Sequence, residues 1–229
     1  MRKPVVDYRK LRPSRLKDPE YRHLLYLLGW LGYFILYFLT ENLIPVESCH
    51  PVHCALDDVI PFCEIFVVPY ATWYVFIVGT LLYFVLYDPD RFRKLMTLII
   101  ISQMVAMAVY IIYPTRQDLR PEMFQRENLF TWGMGLIYGF DTNTGVCPSL
   151  HVAISLNMAS VWTKQREVPR WWKITSVALA VLISISTAFV KQHSVVDIIA
   201  AIPLALLGEI VVFGKCYWLP KFRRQPAQT

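Results

Sequence analysis

His193 and Asp197 stand four residues apart in the segment STAFVKQHSVVDII. On one helix that spacing puts both on one face, where the carboxylate can hold one ring nitrogen and leave the other free as a nucleophile. Left unpaired, an Asp in so apolar a stretch would be costly. A second histidine, His151, lies in CPSLHVAISLN. Pro148 suits a first helical position, so a helix should begin close to it. Its first turn would offer unpaired N–H groups, the positive dipole end and the Ser149 hydroxyl to an anion, with His151 able to protonate a leaving alcohol. A third cluster, YPTRQDLRP, supplies Arg116 and Arg120, whose guanidinium forks bind phosphate oxygens in pairs. Each cluster also has a plain structural reading: a buried His–Asp pair, an interfacial histidine, a headgroup contact. What joins them is that all three fall at the same end of apolar segments.

Those segments must be membrane helices. Of the 229 residues, 55% are hydrophobic and only 17% charged, more apolar surface than an ordinary soluble core can hide. Stretches of about 20 mostly apolar residues, the length that spans a bilayer, occur at roughly 21–44, 64–87, 95–113, 148–163, 172–190 and 194–214. The fourth is short and rich in Ser and Asn, so it fits only inside a bundle. Lipid cannot satisfy free backbone groups, and the two-residue alternation of a membrane barrel is missing. The expectation is an all-α, single-domain integral membrane bundle of six transmembrane helices over residues 1–229, with its active site at the outer membrane interface and residues 1–20 as a basic cytoplasmic tail.

The net charge of +6 raises the question of nucleic acid, and the placement of the charges answers it. Basic residues form four blocks: Arg2, Lys3, Arg9, Lys10, Arg12, Arg15, Lys17 and Arg22; then Arg91, Arg93 and Lys94; then Lys164, Arg166, Arg170 and Lys173; then Lys215, Lys221, Arg223 and Arg224. With six spans all four blocks share one side, which the positive-inside rule makes cytoplasmic. Topology and anionic headgroups explain them without nucleic acid. Both termini are then cytoplasmic, the membrane is expected to be the plasma (inner) membrane, and the first span stays as an anchor rather than a cleaved signal. Only Arg116, Arg120, Arg126 and Lys191 fall outside.

Two outer loops are long, at about 45–63 and 114–147. The first holds Cys49, Cys54 and Cys63, for which a disulfide is the default on an oxidising face, with three pairings open. Cys49, His50, His53 and Cys54 are zinc-capable residues, but their spacing matches no zinc pattern. Cys147 and Cys216 read as packing residues, and the tryptophans as interfacial anchors.

Taken together the three motifs resemble the type-2 phosphatidic acid phosphatase superfamily: Lys, six residues, Arg-Pro; Pro-Ser-Gly-His; and Ser-Arg, five residues, His, three residues, Asp. The likeness covers roughly residues 110–200. Tyr113 stands where the family has Lys, Leu150 replaces Gly, and Thr187 follows Ser186 in place of Arg. PSLH with STAFVKQHSVVD looks more like the branch of inositol-phosphorylceramide and sphingomyelin synthase-like phosphotransferases. The resemblance implies His193 as the nucleophile that becomes phosphohistidine, Asp197 as its orienting partner and His151 as the proton donor. It also implies Arg120, Ser149 and Ser186 as phosphate ligands, and no metal or organic cofactor. Lys191 and Arg116, as outer cations flanking the motifs, are candidates to replace the missing charges.

The first expectation is therefore a membrane phosphatase acting on a lipid phosphate monoester or polyprenyl diphosphate. A phosphotransferase exchanging a phospho-headgroup between lipids is the alternative. A non-catalytic lipid-binding or transport protein is the third reading, and it gains weight if Lys191 and Arg116 both point away from His193 and no cation besides Arg120 lines the pocket. The partners expected are the lipid substrate and the bilayer; oligomeric state is left open.

Overall fold

A computed structural model describes residues 4–223, so Arg2, Lys3 and Arg224 of the basic blocks lie outside the described residues. The regular structure of the described chain is helical apart from two short paired strands. Its helices are α1 (Leu28–Leu43, entered through a 3-10 stretch Arg22–Leu27), α2 (Ala55–Val59), α3 (Val67–Tyr87), α4 (Pro89–Ile112), α5 (Leu129–Phe140), α6 (Leu150–Thr163), α7 (Arg170–Phe189) and α8 (Val195–Phe213). Beyond α8 a π-helical turn, Gly214–Trp218, carries the chain onward.

Five helical segments are long and apolar enough to cross a membrane: Arg22–Leu43, Glu64–Tyr87, Pro89–Ile112, Arg170–Phe189 and Val195–Lys221. Their lipid-compatible faces carry exposed large residues such as Phe38, Val75, Ile174 and Ile210. The fourth expected span differs. Helix α6 has 14 residues, which at 1.5 Å per residue is about 21 Å against a hydrocarbon core of about 30 Å. Most of it is buried, including Ser155 and Asn157. It is short because Ser149 caps its start, accepting from Val152 N–H, and a polar run, Lys164–Gln165–Arg166–Glu167, follows its end.

Two other boundaries move for local reasons. Helix α4 begins at Pro89 rather than near 95, because Asp88 accepts from the Arg91 N–H and Pro is suited to the first turn. The long loop expected at 114–147 contains α5, capped by Asn128, which accepts from the backbone of Phe130 and Thr131.

The helices alternate in direction, so their ends sort into two groups. At one end the starts of α3, α6 and α8 meet the ends of α4 and α7: the Tyr110 hydroxyl donates to Pro148 O at 2.7 Å, and Ser149 N–H donates to Asp197 O at 3.1 Å. At the other, Arg91 donates to Lys164 O at 2.8 Å, Gln165 to Asp88 at 3.0 Å, and Lys164 pairs with Glu209 at 2.7 Å. Between them α3, α4, α6 and α8 share an apolar core built on Phe76, Phe84, Leu98, Ile154 and Trp162. Buried polar bonds tie the helices laterally: Asn157 donates to Ser102 at 2.9 Å and the Trp162 indole to Thr80 at 3.0 Å.

The two long loops are also joined. Strand β1 (His50–Pro51) pairs in parallel with β2 (Thr115–Arg116), and Arg116 bridges to Thr144. The five cysteines are all free, which corrects the expected disulfide. Their loop is tied down by other means: Cys49 is buried with its thiol donating to Pro45 O, Cys54 starts α2, and Cys63 N–H donates to Phe189 O at 3.0 Å.

Trp162 fills the α3–α6 contact and supplies the partner of the Thr80 hydroxyl. Replacing Trp162 with Ala should cost about 3 kcal/mol or more, read as a lowered melting temperature of the purified protein; an unchanged melt would show that this contact does not hold the bundle.

Candidate active site

The turn 190–194 between α7 and α8 carries the first histidine. Val190 and Lys191 close α7, and Lys191 takes a left-handed φ of 53°, a conformation usually left to Gly. Its side chain explains the exception: the ammonium donates to Asp57 O at 2.7 Å and Ile60 O at 2.5 Å, the carbonyl end of α2. Asp57 answers in the opposite direction. Its carboxylate accepts from Ser194 Oγ at 2.6 Å and Val195 N–H at 2.8 Å, at the start of α8, and from Cys54 N–H at 2.8 Å. Burial alone would raise the Asp57 pKa, but these hydrogen bonds outweigh it and hold it below its ordinary value.

His193 therefore lies just before the α8 cap rather than on the helix with Asp197. Ser194 is the cap residue, and Asp197 is the third residue of α8. The pair still forms. Asp197 Oδ2 accepts from Ser194 N–H at 3.0 Å and lies 3.2 Å from His193 Nδ1. A carboxylate can only accept, so the imidazole proton sits on Nδ1 and Nε2 carries the free lone pair. Asp197 is fully buried and His193 is 8% exposed. The neighbouring Cys147 thiol is pushed up to about 12, first by burial and then by Asp197; it stays protonated and is no nucleophile.

His151, in the first turn of α6, lies 5.9 Å from His193 between ring centroids. It stacks on Tyr70 at 4.7 Å and leans on Trp73 at 4.3 Å. Both histidines face a cavity of about 800 Å³ walled chiefly by α1, α3, α6 and the end of α5. Its lining is largely aromatic, with Trp30, Tyr33, Tyr37 and Tyr74, and its polar residues include Gln103, Asp141 and Gln192. Several buried polar atoms on this wall lack a hydrogen-bond partner among the described residues: Trp30 Nε1, Trp73 Nε1, both amide atoms of Gln103, and His151 Nε2.

The expected phosphate ligands are disposed otherwise. Ser149 caps α6, and Ser186 Oγ donates to Ile183 O at 2.6 Å. Thr187, in the place of the family Arg, turns its hydroxyl back to Ser184 O at 2.8 Å. Lys191 is held by α2, and Arg116 donates to Asp118 at 3.0 Å and Val46 O at 3.0 Å, so neither cation is directed at His193; with no Lys or Arg lining the cavity among the described residues, the non-catalytic reading gains the weight that this outcome carries. Arg120 reaches the residue beside His193. It lies over the Tyr138 ring at 4.6 Å and donates to Asp141 O at 2.9 Å, Thr142 O at 2.7 Å and Gln192 Oε1 at 2.6 Å. Burial lowers its pKa and Asp141 opposes that; from so high a starting value it stays charged. In the first loop His50 stacks on Tyr113 at 4.2 Å and His53 pairs with Asp58 at 2.7 Å. Among the described residues no group of three metal-ligating side chains gathers there or elsewhere.

The family model of the PAP2 superfamily matches residues 44–211. The chain belongs to that superfamily. No curated protein and no solved structure matches it. Within the matched region, Asp57, Gln103 and Asp141 escape sequence reasoning, because each reaches the site from an element distant in sequence; Gln192, beside His193, escapes because its role comes from its contact with Arg120. Only Asp57 left a trace: it lies in a loop that carries acidic residues and no Lys or Arg.

Because hydrogen bonds lower the Asp57 pKa, its carboxylate contributes stability that is full above the ordinary carboxylate range and lost as pH falls through the lowered value. Asp57→Asn should therefore cost about 2 kcal/mol at pH 7, and its melting deficit against wild type should shrink below about pH 4. A deficit independent of pH would mean that charge at this position is immaterial.

Proposed function

We propose that this chain is a membrane lipid phosphotransferase that carries a phospho-headgroup on His193. The observation that carries the proposal is the placement of two histidines on one apolar cavity, one of them held by a buried carboxylate through Nδ1 with Nε2 free. In this reading Nε2 of His193 attacks phosphorus and the bond to the lipid alcohol breaks. His151 gives that oxygen its proton, and Asp197 stabilises the imidazolium character that develops. A second alcohol, deprotonated by His151, then attacks the phosphohistidine and restores both residues. Superfamily membership supports phosphate-ester chemistry on a lipid, as does a set of helices suited to a bilayer.

The charge of the cavity favours a phosphodiester donor over a phosphate monoester. A monoester brings up to two negative charges and needs cations on its equatorial oxygens. Here Arg120 stands behind Gln192, Lys191 and Arg116 are engaged elsewhere, and the Asp141 carboxylate faces the cavity. A diester carries one negative charge. Neutral donors such as the Gln103 amide and the Trp30 and Trp73 indoles suit its oxygens, and buried donors without partners are themselves costly until such a ligand meets them. We further propose six crossings, with α6 as the recessed one, and the histidine end on the outer side, as the four basic blocks favour.

The test is a panel of phosphodiester lipids and phosphatidic acid, offered with and without a long-chain alcohol acceptor. Transferred headgroup and free phosphate are scored separately. Transfer from a diester is expected, with a loss of more than about 1000-fold in His193→Ala. Free phosphate from phosphatidic acid alone would restore the phosphatase reading. Turnover of none of these lipids would leave the non-catalytic reading, and activity surviving the substitution would remove the nucleophile.

A further inference from the structure

The opposite end of the bundle holds a second cavity, of about 580 Å³, lined by Thr163, Lys164, Arg166, Lys173, Cys216, Tyr217, Pro220 and Lys221. It lies where α6, α7 and the extension of α8 emerge together, remote from both histidines. Four of its eight lining residues are cations. Cations that serve only to set topology can stand apart in solvent; these surround one concave space.

The balance of charge inside it is uneven. Lys164 is nearly buried, its side chain 5% exposed, and Glu209 pairs with it at 2.7 Å. Glu209 is otherwise occupied, accepting from Ser160 Oγ and from the Trp218 indole, each at 2.5 Å. Among the described residues no carboxylate pairs with Lys173, Arg166 or Lys221. Two of the ammonium groups also share the same aromatic surface. Lys164 lies 5.1 Å and 5.2 Å from the Tyr217 and Trp218 rings, and Lys221 lies 5.8 Å and 5.4 Å from them. Burial lowers the Lys164 pKa; Glu209 opposes this, while Arg91 and Lys221 add to it. The cluster is thus repulsive as it stands, and an anion in the cavity would relieve it.

The local fold opens this space. The π-helical turn Gly214–Trp218 interrupts the α-helical winding and contributes Cys216 and Tyr217 to the wall; such turns recur at functional positions in helices. Tyr217 and Pro220 supply an apolar side, and Lys173, Arg166 and Lys221 a cationic one.

We propose that this cavity is a phosphate-binding site, separate from the histidine site, that takes the headgroup phosphate of an anionic lipid or a soluble phosphate of the same chemistry. Basic pockets between membrane helices have this preference. Lys173, Arg166 and Lys221 would contact the phosphate oxygens, with Lys164 adding charge from behind while it remains paired to Glu209.

The protein is placed in nanodiscs of phosphatidylcholine alone or with added phosphatidylglycerol, and its melting temperature is followed. A parallel arm adds inorganic pyrophosphate to the phosphatidylcholine discs. A rise in melting temperature in either arm supports the site, and the arm that gives it identifies the source. In Lys173→Gln/Lys221→Gln the apparent affinity should fall about 20-fold. The control Lys10→Gln/Arg12→Gln, which removes the same charge from the amino-terminal segment, should leave it within about twofold of wild type. Equal losses in the two double variants would overturn the proposal in favour of general surface charge, and so would no stabilisation in either arm. Should the lysine variant not fold, Arg166→Gln, at an exposed position, gives the same reading: an unchanged affinity there counts against the site.

Discussion

The Asp57 carboxylate is the contact on which the histidine end depends. It caps the start of α8, while Lys191, from the turn just before α8, caps the end of α2. Each helix thus closes the open end of the other, and the residues between, Gln192 to Ser194, have little freedom left. This matters because helix ends expose unpaired N–H and C=O groups that a largely apolar bundle cannot satisfy with solvent. The left-handed backbone of Lys191 costs energy that two charge-assisted hydrogen bonds offset. His193 is held to Thr187 O through its own N–H at 3.2 Å, so the imidazole meets Asp197 as a consequence of how the turn is clamped.

What the sequence discloses and what it hides divide along a physical line. The His193–Asp197 pair is legible because both partners lie within one turn of chain, even though the capping geometry differs from the shared helix face expected. The apolar helices are legible because twenty-residue hydrophobic runs have few alternatives. Asp57, Asp141 and Gln103 are illegible, since each owes its place to packing between segments far apart in sequence. Helix α5 is hidden for a different reason. At 12 residues with three glycines, LFTWGMGLIYGF is too short for a span and too poor in helix formers to stand out from a loop. The cysteines mislead because an oxidising face favours a disulfide only when the backbone brings two thiols together, and here Cys49, Cys54 and Cys63 are fixed by three separate attachments.

The shortness of α6 links the fold to the roof over the site. A helix of 14 residues lying among neighbours of 19 to 24 is shorter than the bundle it packs in. The two long loops meet beside its first turn, where Cys147 N–H donates at 3.1 Å to Oγ1 of Thr115, a β2 residue. The β1–β2 pairing joins them, the bridge from Arg116 to Thr144 adds a third segment, and Arg120 gathers the carbonyls at the end of α5. Arg116 and Arg120 thus have structural work that explains their presence before any ligand is considered. Only Arg120, through Gln192, also touches the residue next to His193.

The two ends of the bundle are mechanically joined, because α6 and α8 each carry a histidine segment at one end and a member of the Lys164–Glu209 pair at or near the other. A buried ion pair with Ser160 and Trp218 on the same carboxylate allows little axial sliding. The Ser149–Asp197 backbone bond fixes the opposite end. Pinned at both ends, α6 and α8 cannot change register without leaving a buried charge or a helix terminus unsatisfied. The 5.9 Å between the His151 and His193 rings is therefore set by the whole length of the helix pair, and the aromatic contacts around His151 refine its orientation within a spacing the backbone has already fixed.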